Sequence, residues 1–514
     1  MGFCCKRFQK VIELEYLREP FRADDGRWKD LIKLDKGAFP AEFTWGAATA
    51  SYQIEGAVHE GGRGASIWDT FSHTPGKVFH DETGDIACDH YHRVSEDVQL
   101  MDELGISSYR FSIAWPRIQP EGKGPLNKEG LKFYLDLVAR LRSCGIDPLP
   151  TLYHWDLPQA LGDRGGWTSR ETAYRFADYV RMLVEAIGPE VSRWITFNEP
   201  WCSSWLGYGL GQHAPGVVGL GSALSANHHL LLAHGLAVAE IRRTTKAAVG
   251  ITLNLAHVTP ASEHPLDVQA AQLVEGNANR MFLDPIFKAA YPSDMMQRYE
   301  NDMTVVELGD LATIAAPIDF LGVNYYHPLV VGSRDRISEL RALGYIVDTS
   351  KPANVIDSSC NSLGLGRPGA KKTLMNWEIE PARLTDLLLS VRAGYGDIPI
   401  YITENGLSSA DYVRHDGTVA DPERIDYVTD HIAALAAALE AGVNVKGYYV
   451  WSLFDNFEWA LGYSQRFGLV FVDYATMKRI PKASYYWYRD FIANRKRATL
   501  ADTVDSSAVA PHAV

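Results

Sequence analysis

The segment WITFNEP at residues 194–200 has the pattern of a short buried strand that ends in an acid. Its apolar and β-branched residues give way to Glu199 and then to a proline, which stops the run. A second segment, IPIYITENG at residues 398–406, is built the same way and places Glu404 before an Asn-Gly pair. The chain therefore places a carboxyl group at the end of a predicted strand twice.

The rest of the chain alternates such strand-like runs with longer segments of helical periodicity. Most of the runs are almost continuously apolar, as expected for parallel strands that are covered on both faces. Helical segments include residues 172–187, 226–242 and 425–441, the last of which stops before Gly442. Eight β-then-α units predict an α/β fold, a (β/α)8 TIM barrel in a single domain. The predicted strands cover residues 43–48, 108–113, 147–153, 193–197, 249–254, 320–325, 398–403 and 445–451.

The barrel is expected to occupy residues 37–497 of the 514-residue chain. Residues 1–36 form a polar, mixed-charge N-terminal extension that we expect to be poorly ordered apart from a short helix around 11–17. Residues 498–514 are small and polar and are expected to form a disordered tail. No linker-like stretch interrupts the region between them, so one domain is the simplest organisation.

The formal net charge of −13 argues against nucleic acid or an anionic membrane as a partner. No apolar run reaches the roughly 18 residues that a membrane span needs. The sequence has no secretory leader, no N-x-S/T site, and six cysteines without C-x-x-C spacing. Together these features predict a cytoplasmic protein without a structural metal.

The N-terminal sequence MGFCCKR places a glycine and two cysteines beside basic residues, as in some acylated proteins. The myristoylation pattern requires Ser or Thr where this chain has Lys6. We therefore expect an unstructured extension here and no lipid anchor.

Polar or aromatic side chains occur at or just after the end of nearly every predicted strand. Barrel enzymes build their active sites on that side of the barrel, from the carboxyl ends of the strands. The sequence therefore predicts one site there, lined by Gln53, Arg110, His154, Asn198, Glu199, Asn254, Asn324, Tyr326, Glu404 and Trp451.

Two carboxyl groups in different environments suit the cleavage of an acetal, which needs both a proton donor and a negative charge. A partly apolar setting around Glu199 would raise its pKa and suit an acid. Glu404 is expected to face Arg110 and the Tyr326 hydroxyl, which would favour its ionised form and suit a nucleophile.

These motifs resemble those of the retaining β-glucosidases of glycoside hydrolase family 1. The resemblance extends over roughly residues 39–491, and seven motifs in the family's order make it specific. The matching segments are FTWGAATASYQIEG at 43–56, YRFSIAWPRI at 109–118, LYHWDLP at 152–158, TFNEP at 196–200, LGVNYY at 321–326, YITENG at 401–406 and VWSLFDNFEWALGYSQRFGLVFVD at 450–473.

The resemblance implies hydrolysis of terminal β-D-glucosyl residues from cellobiose, oligo- or aryl-glucosides, a role in carbohydrate metabolism and cellulose breakdown, and no cofactor. It implies that Glu199 is the acid/base and Glu404 the nucleophile, about 5–5.5 Å apart, with Arg110 and Tyr326 orienting Glu404. The implied substrate-binding residues are Gln53, His154, Asn198, Asn324, Tyr326, Trp377, Trp451, Glu458, Trp459 and Phe467.

Two departures narrow the substrate class. Myrosinases of this family carry glutamine at the acid position, where this chain has Glu199. A carboxylate at Glu458 would repel the 6-phosphate of phosphorylated sugars. Specificity for β-galactosides or β-fucosides, a non-catalytic glycan-binding role, the natural aglycone and the existence of a homo-oligomer all stay open.

Other patterns in the chain carry less weight. The segment GLGRPG at residues 364–369 fits a dinucleotide-binding string, but its proline and the absence of a preceding strand favour a surface loop. The spacing of three histidines in one predicted helix does not form a metal-binding face. The three histidines are His228, His229 and His234. Neither Asp85 and Asp89 nor the thiol of Cys202, three residues after Glu199, indicates a second site.

Overall fold

A computed structural model describes residues 38–350 and 353–507, with side chains as far as residue 495. The predicted extension over residues 1–36, its short helix and its acylation motif lie outside the described residues. Eight strands, numbered here in chain order, form the barrel: β1 (Thr44–Ala48), β2 (Ser108–Ser112), β3 (Asp147–Thr151), β4 (Arg193–Asn198), β5 (Ala248–Asn254), β6 (Phe320–Asn324), β7 (Ile400–Asn405) and β8 (Val445–Trp451).

The eight strands close into a parallel barrel in which each strand pairs with its neighbours in the sequence. Strand β1 completes the ring, because Ala48 lies opposite Trp451 of β8 on one side and Arg110 of β2 on the other. This confirms the predicted (β/α)8 architecture. The predicted strands are all present, with ends displaced by one or two residues.

Helices cover the outside of the barrel. The helix Arg170–Ile187 is typical: it buries Phe176, Val180, Leu183 and Val184 at spacings of three and four residues. The longer helices are His90–Leu104, Lys128–Ser143, Arg170–Ile187, Leu220–Thr244, Pro265–Glu275, Met281–Lys288, Ala382–Tyr395, Pro422–Glu440 and Ala483–Ser507. No helix in this part of the chain is both long and apolar enough to span a membrane.

Two small sheets and the last helix complete the described chain. Strands Val258–Pro260, Leu329–Ser333 and Ser362–Gly364 form one small sheet, and strands Val470–Asp473 and Lys478–Pro481 form the other. The glycine-rich residues 364–369 begin at the end of the strand Ser362–Gly364 and lead into a loop, as predicted, but the expected absence of a preceding strand is wrong. The final helix runs to Ser507, which is past residue 497, where the predicted domain ends.

The barrel ladder is irregular next to both glutamates. Pairing between β4 and β5 changes register between Ile195 and Asn198, and pairing between β7 and β8 changes register between Ile402 and Asn405. Bulges of this kind are common beside active sites because they re-aim side chains. One of these register changes spans Glu404, which is the second-last residue of β7.

A buried cluster of charges holds the segment after β8. Asp455 accepts hydrogen bonds from the Gly468 backbone amide at 2.9 Å, the Lys482 ammonium at 2.6 Å and the Arg466 guanidinium at 2.6 Å. Lys482 also donates to Asp411. These contacts fix both ends of the loop that carries the candidate substrate residues Glu458, Trp459 and Phe467.

Lys482→Met is expected to destabilise the fold, because it leaves Asp411 and Asp455 buried with one cation fewer. Breaking a buried ion pair by removing one partner costs about 3–5 kcal/mol. The free energy of unfolding from urea titration measures this loss. Lys132→Met is the matched control, since Lys132 pairs with Asp136 at the surface and should change stability by less than about 0.5 kcal/mol. Equal urea midpoints for the two variants would contradict a stabilising role for the cluster.

Candidate active site

The two strand-end glutamates are both buried at the carboxyl end of the barrel, with 5% and 3% exposure for Glu199 and Glu404. The side chain of Arg110 on β2 contacts residues of both of their strands. Its guanidinium donates to Glu404 Oε1 at 2.6 Å and to Asn198 Oδ1 at 2.6 Å. The structure therefore brings together four of the predicted site residues from three different strands.

Glu404 receives a second strong hydrogen bond. The Tyr326 hydroxyl donates to Glu404 Oε2 at 2.6 Å, so each carboxylate oxygen has a donor. The backbone after β6 is fixed in turn, because the Tyr427 hydroxyl donates to the Tyr326 carbonyl at 2.9 Å. A carboxylate held on both oxygens cannot rotate, which suits a group that must attack along one line.

Glu199 is held by a different set of donors. Asn324 Nδ2 donates to Glu199 Oε1 at 2.7 Å and to Asn198 Oδ1 at 3.0 Å. The side-chain oxygen of Asn324, Oδ1, accepts a hydrogen bond from Thr403 Oγ1 at 2.7 Å, which fixes the orientation of the side-chain amide. The Cys202 thiol donates to Glu199 Oε2 at 3.2 Å. Asn324, predicted as a substrate-binding residue, thus contacts the glutamate directly.

The two carboxyl groups differ in their ionisation. Burial, together with the nearby charge of Glu404, raises the pKa of Glu199 to about 8. Burial also raises the pKa of Glu404, and the contacts from Arg110 and Tyr326 limit that rise. The predicted dominance of the Arg110 cation at Glu404 is wrong, because desolvation of a fully enclosed carboxyl has the larger effect on its pKa. Glu199 is left as the group that holds a proton more readily.

Three site residues have left-handed backbone conformations. The φ angles are 45° for Glu199, 77° for Trp155 and 54° for Trp459. For residues other than glycine this region costs about 1–2 kcal/mol, so the surrounding structure must hold them there. Such strain is concentrated at functional sites, where it aims a side chain that a relaxed backbone would turn away.

A group of polar atoms beside the glutamates has hydrogen-bonding capacity to spare. Gln53 Nε2 donates to Asn456 Oδ1 and to the Phe457 carbonyl, both at 2.8 Å, and is 3.4 Å from Glu458 Oε2. Gln53 Oε1 is buried and has no partner among the described residues. Buried polar atoms without partners are rare, and a bound ligand is one explanation for them.

His154 presents a complementary donor. Its Nε2 accepts from Asn198 Nδ2 at 3.0 Å, because the Asn198 oxygen is already used by Arg110. Burial and the charge of Arg110 hold the pKa of His154 well below its usual range, so the ring is neutral and carries its hydrogen on Nδ1. That buried Nδ1 has no partner in the part of the chain that the structure describes.

Glu458 is the third carboxyl group of the site. Its enclosed position and the charges of Glu404 and Glu199 raise its pKa to about 8. The predicted repulsion of a 6-phosphate by Glu458 therefore requires that the group be ionised, which its surroundings oppose near neutral pH.

Aromatic rings line the site on two sides. Trp451 lies parallel to the His154 ring at 6.0 Å, and Trp459 contacts Trp155 with ring centres 4.5 Å apart. On the other side, Trp377 lies 5.3 Å from Tyr326 and 6.3 Å from Phe467 between ring centres. The second set is less enclosed, since Trp377 and Tyr326 are half-buried.

Other residues fill structural positions. Asn254 ends β5 opposite Asn324. The three helix histidines bond to protein partners: His228 to Tyr291 and Asp310, His229 to the Trp167 carbonyl, and His234 to Thr196. Among the described residues, no group of three or more His, Cys, Asp or Glu side chains could hold a metal ion.

Sequence reasoning missed the side chains that support the site from within the barrel. Thr403 is fully buried, bonds to Asn324 and accepts from the Thr252 hydroxyl at 3.2 Å. Thr403 stands directly before Glu404, and an inward-facing hydroxyl in an apolar strand is a signal that could have pointed to it. The sequence places Cys202 three residues after Glu199 but does not predict their contact, because that contact depends on the geometry of the local helical turn.

The model of glycosyl hydrolase family 1 matches residues 35–497, and the chain belongs to this family. The chain is 46% identical to "Beta-glucosidase A" of Acetivibrio thermocellus over 90% of this chain and 99% of the relative. It is 44% identical to a "Bifunctional beta-D-glucosidase/beta-D-fucosidase" of Bifidobacterium breve over 89% of this chain and 98% of that protein.

Solved structures agree with this assignment. The crystallised family 1 β-glucosidase of Thermotoga maritima superposes with a TM-score of 0.82 at 44% identity, covering 89% of this chain and 98% of that one. The resemblance that the sequence motifs indicated is therefore confirmed at the level of the family and the fold.

Glu404→Gln is expected to lower the pKa of Glu199 below the value of about 8 in the unmodified protein. The reason is that the variant removes a negative charge that opposes ionisation of Glu199 and leaves the Arg110 cation in place. Carbon-13 NMR titration of labelled glutamate side chains, with the Glu199 signal assigned by its loss in Glu199→Gln, measures the shift. Asp416→Asn, a change at the exposed surface, is the control. An unchanged Glu199 titration in Glu404→Gln would contradict the coupling.

Proposed function

We propose that this protein is a retaining β-glucosidase that hydrolyses terminal β-D-glucosyl residues from β-glucosides. The observation that carries the proposal is the pair of buried carboxyl groups with unlike partners. Arg110 and Tyr326 hold Glu404 through both oxygens. Glu199 is held by an amide and a thiol and keeps its proton more readily. Retaining glycosidases need a nucleophile and an acid that differ in this way.

In the first step Glu404 attacks the anomeric carbon while Glu199 gives its proton to the leaving oxygen. The bond to the aglycone breaks and a glucosyl ester forms on Glu404. Arg110 and Tyr326 keep the attacking carboxylate in a fixed orientation, which reduces the entropy lost in reaching the transition state.

In the second step Glu199 acts as a base. The negative charge of Glu404 has been consumed in the ester, so the main charge that raised the pKa of Glu199 is gone. Glu199 is then free to take a proton from water as the water attacks the anomeric carbon. The ester breaks, Glu404 is released as a carboxylate, and two inversions give overall retention.

The sugar is proposed to bind where spare polar atoms and aromatic faces meet. Gln53 Oε1 can accept from one hydroxyl, and His154 Nδ1 can donate to the next. Trp451 offers an indole face to the apolar C–H surface of the ring. Trp377 and Phe467, on the less enclosed side, are proposed to contact the aglycone side of the substrate.

Glu404→Gly is expected to lower kcat on an activated β-glucoside by roughly 10⁴-fold or more, because it removes the nucleophile. Azide that enters the vacated space attacks opposite to the leaving group, so the rescued product should be the α-glucosyl azide. Glu199→Gly retains the nucleophile, and azide then attacks the glucosyl ester to give the β-glucosyl azide. Proton NMR of the products distinguishes the two anomers.

Exchange of the two outcomes would contradict the assigned roles. If Glu404→Gly produced the β-azide and Glu199→Gly the α-azide, Glu199 would be the nucleophile. Azide products from neither variant, with both variants folded, would remove the two-step mechanism itself.

A second candidate is β-fucosidase activity, which is part of the name of the Bifidobacterium breve relative. Comparing kcat/KM for 4-nitrophenyl β-glucoside, β-fucoside and β-galactoside separates the candidates. We expect the glucoside to give the highest value, since Gln53, His154 and Glu458 offer several polar atoms to sugar hydroxyls and the fucoside lacks the 6-hydroxyl. A higher value for the fucoside would favour the second candidate, and binding without release from any of the three would indicate a non-catalytic glycan-binding protein.

A further inference from the structure

Cys202 lies directly against the candidate acid/base. Strand β4 ends at Asn198, Glu199 follows in the left-handed conformation, and a π-helical turn, Cys202–Leu206, begins three residues later. This geometry brings the Cys202 thiol to 3.2 Å from Glu199 Oε2. Single π-turns inside helical segments are frequent at functional sites, where they shift one side chain out of the regular α-helical position.

The thiol is a neutral group in this position. Cys202 is 8% exposed, and burial raises its pKa well above the ordinary range. The nearby charges of Glu199, Glu404 and Glu458 act in the same direction. A thiolate is therefore excluded near neutral pH, and the sulfur carries one hydrogen that can be donated.

The two oxygens of Glu199 differ in what their partners allow. The Asn324 amide that faces Oε1 can only donate, and it cannot turn over because its oxygen is bound by Thr403. A proton on Oε1 would face an N–H group. A thiol can rotate about its Cβ–Sγ bond and is a weak donor in one orientation and a weak acceptor in the other. Oε2 is therefore the oxygen that can gain and lose a proton without losing its partner.

We infer that Cys202 is a positioning residue for the acid/base, one that assigns the transferred proton to Glu199 Oε2 and favours the ionised carboxylate. This inference rests on the proposed function. In the first step the proton passes from Oε2 to the leaving oxygen, and the thiol turns to donate to the new carboxylate. In the second step water gives a proton back to Oε2, and the thiol turns to accept from it.

Other charged and titratable groups face Glu199 and set the background on which the thiol acts. They come from strands on every side of the site: Arg110 on β2, His154 after β3 by way of Asn198, Tyr326 after β6, Glu404 on β7 and Glu458 after β8. None of these groups is altered by substitution of Cys202, so a change in the ionisation of Glu199 can be attributed to the thiol.

Cys202→Ala tests the inference through the pH profile of kcat/KM. Loss of a donor to the carboxylate should move the alkaline limb, where Glu199 loses its proton, to higher pH by about half a unit. Cys202→Ser keeps a rotatable donor and should leave the limb in place or move it to lower pH. Cys144→Ala, a change at a half-buried cysteine that ends the helix Lys128–Ser143 just before β3 begins, is the control and should match the unmodified enzyme.

A leaving-group comparison separates positioning from a general structural effect. In Cys202→Ala, kcat/KM should change for alkyl glucosides, whose leaving oxygen needs a proton, and stay the same for a dinitrophenyl glucoside, whose leaving group needs none. Equal losses on both substrates, or the same limb shift in the Ala and Ser variants, would overturn the inference. Carbon-13 titration of Glu199 in Cys202→Ala gives the shift without any assay of activity. An unmodified protein that fails to cleave any glucoside would instead refute the proposed function.

Discussion

Burial of charge, together with repulsion between neighbouring carboxyl groups, governs how Glu199, Glu404 and Glu458 ionise in this enclosed site. The charge of Glu404 raises the pKa of Glu199 and of Glu458, the charge of Glu199 also raises the pKa of Glu458, and Arg110 forms an ion pair with Glu404 alone among the three. The pKa of Glu199 and that of Glu458 are both raised to about 8, so at least one of the three carboxyl groups holds a proton near neutral pH. The reaction that we propose uses that proton. The same repulsion decreases when Glu404 becomes an ester, which converts Glu199 from an acid into a base.

The buried charges and the strained backbone of the site lower the stability of the fold, and the barrel supplies the rigidity that holds them in place. The closed ring of eight strands offsets the unfavourable local geometry of the site. This geometry consists of the register shifts in β4 and β7 and the left-handed backbone at Glu199. A chain of hydrogen bonds inside the barrel, from Thr252 through Thr403 to Asn324, holds Glu199 in place. The ion-pair cluster around Asp455 fixes the loop that carries Glu458. Each support lies on a different segment of the chain, so the geometry of the site is a property of the whole fold.

The sequence was informative where a pattern repeats along the chain. Eight apolar runs with helical segments between them were enough to predict the barrel, and strand-end polarity was enough to select Glu199, Glu404 and Arg110. The sequence did not predict properties of the site that depend on distances between segments of the chain. The rise in the pKa of Glu404 comes from its degree of burial, which no local pattern encodes. The contact of Asn324 with Glu199 and the orientation of the Cys202 thiol depend on side-chain packing across strands and on one helical turn.

The proposed mechanism requires that Glu404 becomes covalently bound to the sugar while Glu199 transfers the proton. Reaction with a 2-deoxy-2-fluoro-β-glucosyl fluoride measures this, because the 2-fluorine slows both formation and breakdown of the ester, while the good fluoride leaving group speeds formation alone, so that the ester accumulates. After proteolysis and mass spectrometry, the account predicts one fluoroglucosyl group, attached to the peptide that contains Glu404. Attachment to Glu199 or Glu458, or hydrolysis of this reagent without any labelled peptide, would contradict it.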